Sequence, residues 1–469
     1  MDYSDLELAT YDEPSFLSHV GATMIAHLNA LRSELISART NLERSIFEKG
    51  ATGTPIFALP NELLSKIFVA TLPNIDTLWE WAKSTDAVEN VGNIDFFGQD
   101  TCPLLLTRVC RRWRDVSHST PLLWSQILVY AHYSYRMAQL NPLKVWFDRA
   151  QQAPLTIIFY SDASSSNPSV NQLLSVMAGR CRYWEDIRIS LWSPDDPLPL
   201  SQFLGPVKHN VPLLRNFDLH ADAVGPFDQL GDAPRLTSIG MIRHITEAIN
   251  LPCDRLRTYK GPLCVRSGDS DGRNACILTL ARRLERVKFI RSEETTRTHF
   301  PPIVCPSLVA LDALEGPRSR AFLASYVAPN LREFEVFINY WEYEDEFVIV
   351  HSFLRFSACS LTKLSINFPR RDSPYRRYVP NILKDQEKTI RYLHLCVPVD
   401  TYAAMRYLFQ WMTVDLSTTS NTFLHLVGFG IDMPTAGLEE CETLNYAPLV
   451  TMLLSRFQKT PTTPVWTSD

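Results

Sequence analysis

From Trp184 onwards the chain repeats a short apolar pattern, and this repeat limits the possible folds more than any other feature. Each unit has apolar residues at its first and fourth positions and an apolar or small residue at its sixth, with mostly polar residues between them. Successive units begin 20 to 36 residues apart, close to the spacing of leucine-rich repeats. The ten units begin at Trp184, Leu214, Leu236, Leu256, Leu284, Leu308, Leu331, Leu361, Ile390 and Leu426.

Alternating apolar residues favour a short strand with one buried face. Consecutive units can stack such strands into a parallel sheet, with the return segments covering one side. Ten strands about 4.8 Å apart would extend for roughly 45 Å. We therefore predict an α/β fold, with an irregular leucine-rich-repeat-like solenoid and a parallel sheet. The alternative is an ordinary α/β domain in which the spacing is a coincidence.

The polar residues between the first and second apolar positions of each unit are expected on the concave side of this sheet. They include Arg215, Asn216, Glu285, Arg286, Arg332, Glu333, Thr362 and Lys363.

Three short amphipathic segments precede the repeats, and together they predict a small all-α bundle. The first, LPNELLSKIFVATLP at 59–73, places four apolar residues on one side of a helix. The second, LLLTRVCRRWRDVSHS at 104–119, and the third, STPLLWSQI, are also predicted to be helical. Their apolar residues include Leu63, Leu64, Ile67, Phe68, Val109, Cys110, Trp113, Leu122 and Trp124.

So small a bundle cannot hide all of this apolar surface. Excess apolar surface with aromatic anchors is typical of an interface. We expect part of the first stripe to pack on Val109 and Trp113 and the rest to remain for a partner. The sequence leaves open which residue of the stripe does which.

These segments resemble the F-box of proteins that are abundant in mushroom-forming fungi. The resemblance rests on Leu59-Pro-Asn-Glu-Leu-Leu64 with Ile67-Phe68, then Val109-Cys-Arg-Arg-Trp113, then Thr120-Pro-Leu-Leu-Trp124, in the order of the family. The F-box here is longer than usual because residues 74–101, which show no clear pattern, separate the first and second segments.

The resemblance implies a non-enzymatic adaptor, the substrate-recognition subunit of an SCF-type ubiquitin ligase. Its F-box would bind a Skp-type adaptor, and through it a cullin–RING complex, while the repeats would hold an unknown protein substrate. The implied adaptor-binding residues are Leu59, Pro60, Leu63, Leu64, Ile67, Phe68, Val109, Cys110, Trp113, Leu122 and Trp124. The alternative is a protein-binding repeat scaffold that takes no part in ubiquitin transfer.

These patterns divide the chain into five regions. We expect a disordered N-terminus at 1–13 and a helix at 14–50, whose leucines allow either packing within the chain or a short self-associating coiled coil. The F-box at 55–130, with its insert at 74–101, is followed by the repeat region at 140–460 and a flexible tail at 461–469.

Two charged runs follow predicted strands and are expected on loops, where binding residues are frequent. One is Trp341-Glu-Tyr-Glu-Asp-Glu-Phe347 and the other is Pro369-Arg-Arg-Asp-Ser-Pro-Tyr-Arg-Arg-Tyr378. They are either solvated loops or part of the substrate surface, in which case Glu342, Glu344, Arg370 and Arg371 would contact the substrate.

The sequence shows no signature of an enzyme, a cofactor site or a metal site. No phosphate-binding glycine motif, nucleophile elbow or H-E-x-x-H is present, and His394 with Cys396 lacks further ligands nearby. The formal net charge of −5 gives no reason to expect nucleic acid or an acidic membrane surface as a partner. The ten scattered cysteines have no zinc-type spacing and are expected to be small buried side chains, as in a cytoplasmic or nuclear protein.

Overall fold

The fold was analysed in a computed structural model of the whole chain. It describes residues 33–34, 37, 40–41, 55–83, 102–131, 140–161, 167–191, 198–199, 203–221, 223–224, 227–242, 250–262, 264–266, 274–290, 302–313, 323–337, 345–367, 382–396, 406–413, 425–432 and 447–457. The chain divides into two compact units, residues 1–71 and residues 72–469. The predicted N-terminus at 1–13 and tail at 461–469 lie outside the described residues.

The first unit is helical in its described residues except at Leu59, Pro60 and Thr71, which border its last helix. Helical positions occur between residues 33 and 41, within the predicted N-terminal helix. A short helix, α1 (Pro55–Ala58), is followed by α2 (Asn61–Ala70), which begins directly after Pro60. The Pro60 carbonyl accepts the backbone N–H groups of Leu63 and Leu64 at 3.1 and 3.0 Å. Glu62 lies in the first turn, where the helix dipole favours a negative charge.

The second unit is a mixed α/β structure built around one large parallel sheet. Its twelve strands are hydrogen-bonded in chain order, and all twelve run parallel. They are β1 (Gln126–Ala131), β2 (Leu155–Ser161), β3 (Trp184–Leu191), β4 (Asn216–His220), β5 (Ser238–Ile242), β6 (Thr258–Gly261), β7 (Arg286–Phe289), β8 (Ala310–Ala313), β9 (Glu333–Phe337), β10 (Lys363–Asn367), β11 (Tyr392–Cys396) and β12 (Gly428–Asp432).

The predicted parallel sheet of an α/β fold is thus confirmed, and each of the ten repeat units supplies one strand, β3 to β12. Strand β1 was not predicted, because the third predicted helical segment extends into it. The continuous apolar run at 127–131 has no alternation that separates a strand from a buried helix.

The segment predicted as one helix at 104–119 is broken in two. Helix α4 (Leu106–Val109) ends at Cys110, whose extended backbone (φ −155°, ψ 173°) interrupts the helix before α5 (Arg111–His118). The Cys110 thiol then accepts the backbone N–H of Trp113 at 3.5 Å, which caps the second helix. The third segment forms only a single 3₁₀ turn, Pro121–Trp124, before β1 begins.

The remaining helices lie between or after the strands. They are α6 (Leu140–Ala150), α7 (Pro168–Ala178), α8 (Ile277–Leu280), α9 (Asp345–Ser357), α10 (Arg406–Met412) and α11 (Ala447–Phe457). Further 3₁₀ turns are found at Cys181–Tyr183 and Gly205–Val207. Short strands pair outside the main sheet: Leu198–Pro199 with Ala223–Val224, Cys264–Arg266 with Asn274–Cys276, and Ile303–Val304 with Tyr326–Val327.

The strand register gives the sheet two different faces. The inner face carries a row of apolar side chains that runs from Ile157 on β2 to Phe429 on β12 and is buried from β2 to β11. The outer face carries, in register, Leu128, Ile158, Arg188, Asp218, Gly240, Lys260, Lys288, Asp312, Glu335, Ser365, His394 and Gly430. We call this set the outer row.

A helix inside the 74–101 insert covers the first strands on the outer face. Helix α3 (Ile75–Lys83) was not predicted, yet its Trp79 is buried in a cluster formed on β1 and β2 by Leu128, Tyr130, Ile158 and Tyr160. Asp76 forms an ion pair of 2.7 Å with Arg188 of β3, and Trp79 contacts His220 of β4 edge-on. The insert therefore supplies a second layer over the beginning of the sheet.

In the described residues, no helix has the length and apolar character that a membrane span requires.

Candidate interaction surfaces

Helix α2 presents part of its apolar stripe to solvent. Leu64 and Phe68 are buried, whereas Leu63 is 45% exposed and Ile67 is 41% exposed. The pair at 63 and 67, one helical turn apart, forms an exposed ridge, while the packing of the stripe on Val109 and Trp113 stays a prediction. Of the two other candidate residues in this motif, Pro60 is exposed and Leu59 is half-buried.

Helix α4 and the 3₁₀ turn carry a second group of exposed apolar side chains. Leu105, Val109 and Leu122 are each about half exposed, while Cys110 and Trp113 are half-buried. Exposed large apolar residues are ordinary when single, whereas a group of them can supply a contact surface, and these three lie within residues 105–122.

Trp124, also implied by the resemblance, does not lie on that surface. It is completely buried, and its indole Nε1 donates to the Ser117 carbonyl at 2.8 Å. Trp146 of α6 packs edge-on against it at 5.0 Å, and the Arg149 guanidinium lies 4.3 Å from its ring centroid. Trp124 therefore supports the 3₁₀ turn from within. Its ring also approaches His118, whose pKa is lowered by burial and by the neighbouring charges of Arg149 and Arg114.

Beyond the strands that α3 covers, the outer face carries charged side chains, of which Arg286 and Lys288 are exposed and the others half-buried. Lys260, Arg286 and Lys288 on β6 and β7 form what we call the basic strip. Asp312, Glu333 and Glu335 on β8 and β9 form the acidic strip beside it. The charge of these side chains thus changes from positive on β6 and β7 to negative on β8 and β9.

Two ion pairs connect the strips, one across an intervening strand and one between adjacent strands. The Arg286 guanidinium donates to both carboxylate oxygens of Glu333, at 3.0 and 3.2 Å, across the intervening strand β8. It can span that strand because β8 has the small Ala310 in the same register. Lys288 is paired with Asp312 on the adjacent strand.

A shallow depression of about 310 Å³ lies over these strands. Its lining includes both strips together with Lys363 and Ser365 of β10. Only 16% of the Asp312 side chain is exposed, compared with 35% of the Glu333 side chain. Burial raises the pKa of its carboxyl, Lys288 opposes the rise, and the charge of Glu335 adds to it. The depression is thus a place where a charged group is held partly out of water.

The last two strands add an aromatic platform next to the depression. Tyr392 and His394 of β11 lie so close to Gly428 and Gly430 of β12 that a Cβ atom on either glycine would approach the ring to 2.7 Å. Glycine is required there for this close approach. The Nδ1 of His394 is 3.1 Å from the Ser365 hydroxyl, which links the platform to the depression.

Only part of this surface could be predicted from the repeat pattern. Arg286, Glu333 and Lys363 were among the predicted face residues, whereas Lys260, Lys288, Asp312 and Glu335 were missed. The strand alternation was the available signal, because the fifth position of each unit points to the same side as the third. The residues at the second position, such as Arg215 and Glu285, precede the strands instead.

The residues proposed for substrate binding from the charged runs lie outside the described residues. These are Glu342, Glu344, Arg370 and Arg371. The last three residues of the acidic run, 345–347, do not continue a loop but begin helix α9.

The described cysteines behave mainly as buried side chains. Cys181, Cys276, Cys305 and Cys359 are buried, and burial raises the pKa of each thiol, to about 12 for Cys305 and about 11 for Cys359. A protonated thiol is neither a nucleophile nor a good metal ligand. Within the described ranges, no three His, Cys, Asp or Glu residues are grouped so that they could hold a metal ion.

Comparisons with known proteins identify no relative: no protein-family model and no curated protein sequence matches this chain.

Proposed function

We propose that this protein is the substrate-recognition subunit of an SCF-type ubiquitin ligase. Its F-box motifs would bind a Skp-type adaptor, and its sheet unit would hold a protein substrate. The observation that carries the proposal is the exposed ridge of Leu63 and Ile67 on α2, within a motif whose Leu64 and Phe68 are buried. Two large apolar side chains one turn apart on an exposed helix face can supply contact surface for a partner.

Two further features support the same proposal. Leu105, Val109 and Leu122 give the second and third motifs exposed apolar side chains of their own. The twelve parallel strands follow chain order, as expected if the repeats form a leucine-rich-repeat-like solenoid. Such a protein would act in the cytoplasm or nucleus, without a cofactor or catalytic residues of its own.

The exposed ridge can be tested by co-expression with a Skp-type adaptor and a cullin. We expect the three proteins to migrate together in size-exclusion chromatography, and the double substitution L63D/I67D to abolish adaptor capture. Carboxylates placed in an apolar contact are desolvated without partners, which is strongly unfavourable. Leu64 and Phe68 are unsuitable for this test because both are buried, so their substitution would affect folding.

A matched control uses the same helix. N61D/K66D adds two carboxylates at exposed positions of α2 without removing an apolar residue, and it should capture the adaptor as the unsubstituted chain does. Circular dichroism should show equal helix content for both variants. Capture by L63D/I67D at the unsubstituted level would contradict the proposed adaptor surface. Capture of the adaptor without the cullin would favour the alternative, a repeat scaffold that takes no part in ubiquitin transfer.

A further inference from the structure

The outer face from β6 to β10 has properties that the stability of the sheet does not require. Its cations reach solvent more than its carboxylates do: Arg286 is 56% and Lys288 48% accessible, against 35% for Glu333 and 16% for Asp312. Exposed ion pairs of this kind contribute only about 0–1 kcal/mol to folding. The sheet would therefore lose little if these positions were occupied by uncharged polar residues.

The charges are separated by sign instead of being mixed. Three cations occupy β6 and β7, and three carboxylates occupy β8 and β9. Because neighbouring strands are about 4.8 Å apart, the centres of the two strips lie roughly 10 Å apart. The cross-strand pairs of Arg286 with Glu333 and Lys288 with Asp312 hold these side chains in place in advance of binding.

The alternation of sign restricts the chemistry of a partner. A nucleic acid or another polyanion would be repelled by the acidic strip, and a uniformly basic segment by the basic strip, since like charges in contact cost several kcal/mol. A polypeptide segment with one acidic and one basic side chain matches both strips. The small side chain of Ala310 leaves space between the strips. Tyr392 of β11 has an exposed ring and pairs in register with Lys363 of β10.

We propose that the depression between the basic and acidic strips is a binding site for a polypeptide segment that carries an acidic and a basic side chain about 10 Å apart. The acidic side chain lies over Lys260 and Lys288, and the basic side chain lies over Glu333 and Glu335. This inference deepens the proposed function, on which it rests, by naming the class of substrate that the sheet unit would select.

The test measures binding of fluorescein-labelled synthetic 12-residue peptides to the full chain by fluorescence polarisation. Four peptide types are compared. Two are bipolar and carry one acidic and one basic residue three positions apart, in either order, and the other two carry only an acidic or only a basic residue. We expect one of the two bipolar orders to bind at least about tenfold more tightly than either single-sign peptide.

Two charge swaps locate the site. R286E/E333R keeps the ion pair but places a carboxylate in the basic strip and a guanidinium in the acidic strip, so it should weaken binding of the preferred bipolar peptide and reduce the difference in affinity between the two bipolar orders. R257E/E285R is the matched control, because Arg257 and Glu285 form an exposed ion pair directly before β6 and β7, outside the depression. It should leave both affinities unchanged.

The outcomes distinguish this inference from the proposed function. Equal binding of all four peptides, or preference for the acid-only or base-only peptide, would overturn the bipolar site. The same holds if both swaps change affinity equally. Adaptor capture by R286E/E333R is expected to be normal, so a failure of the peptide test with normal capture rejects only the site. Normal peptide selectivity without adaptor capture rejects only the ligase role.

Discussion

Two parts of the outer row show how the same sheet serves two purposes. On β1 and β2 the outer row consists of Leu128 and Ile158, buried beneath Trp79 of α3. On β7 and β8 it consists of Lys288 and Asp312, facing the depression. Backbone geometry and strand pairing are alike in both places. The difference shows that the presence of a covering helix, not the strand itself, decides whether an outer position must be apolar.

Arg188 on β3 lies at the border between these two regions. It forms ion pairs with Asp186 at 2.9 Å and Asp76 at 2.7 Å, and only 11% of its side chain is exposed. Burial lowers the pKa of Arg188, but its hydrogen bonds and charge interactions with Asp186 and Asp76 outweigh that effect and raise the pKa overall. The Asn216 amide also donates to Asp186 at 3.0 Å, so the charged group is satisfied where the covering layer ends.

The largest effect is expected when a charge is moved into the covered region. Ile158→Lys would bury an ammonium group without a partner and should lower the free energy of unfolding by about 4 kcal/mol or more. Lys363→Met, at an exposed position of the outer face, should change it by less than about 0.5 kcal/mol. Urea unfolding followed by circular dichroism measures both. Similar losses would show that the two regions do not differ in this way.

Removing the covering contact itself should have the next largest effect. Trp79→Ala deletes a buried indole from the cluster on β1 and β2, which should cost about 3 kcal/mol in the same measurement. Thr77→Ala, an exposed position on α3, is the control and should be nearly neutral. Native-state hydrogen exchange should show faster exchange in β1 and β2 for Trp79→Ala alone. Unchanged exchange would mean that α3 does not protect these strands.

Substituting Arg188 and Arg286 compares the stability contribution of a buried ion pair with that of an exposed one. Arg188→Met leaves the carboxylate of Asp186, which is 9% exposed, without its main partner, at a cost of about 2 kcal/mol. Arg286→Met removes an exposed pair and should cost about 0–1 kcal/mol. Unfolding free energies for both variants test the ranking. Equal costs would indicate that the strips are structural, which would weaken the argument that they serve binding.

The smallest expected effect is a pH dependence of the free energy of unfolding that arises from Asp312 in the depression. Because folding raises the pKa of Asp312, the native state binds this proton more tightly than the unfolded chain. The resulting stabilisation is present below the ordinary pKa of 3.8 and is lost as the pH rises through the raised value. As the pH rises from 3.8 towards neutrality, the free energy of unfolding of Asp312→Asn should therefore increase relative to that of the unsubstituted chain. Glu335→Gln, which removes one cause of the raised pKa, should reduce this shift.

Much of the sheet could be predicted because its signal is local. Each strand from β3 to β12 follows from two apolar positions and a third that is apolar or small, all within six residues, and every one was predicted. The break at Cys110 was missed, because the apolar spacing continues through it while the backbone turns to an extended conformation. The stripe on α2 was predicted as a unit, but periodicity alone cannot say that Leu64 and Phe68 are buried and that Leu63 and Ile67 are not.

The sequence by itself determined that the repeats form parallel strands with an apolar inner face, because alternation and spacing are properties of neighbouring residues. Only the tertiary structure decided which part of the outer face is covered. Helix α3 lies more than 40 residues before β1, and its contact with β1 and β2 joins residues with no common pattern. The tertiary structure also brought Arg286 to Glu333, 47 residues apart, because strand stacking places distant residues in register.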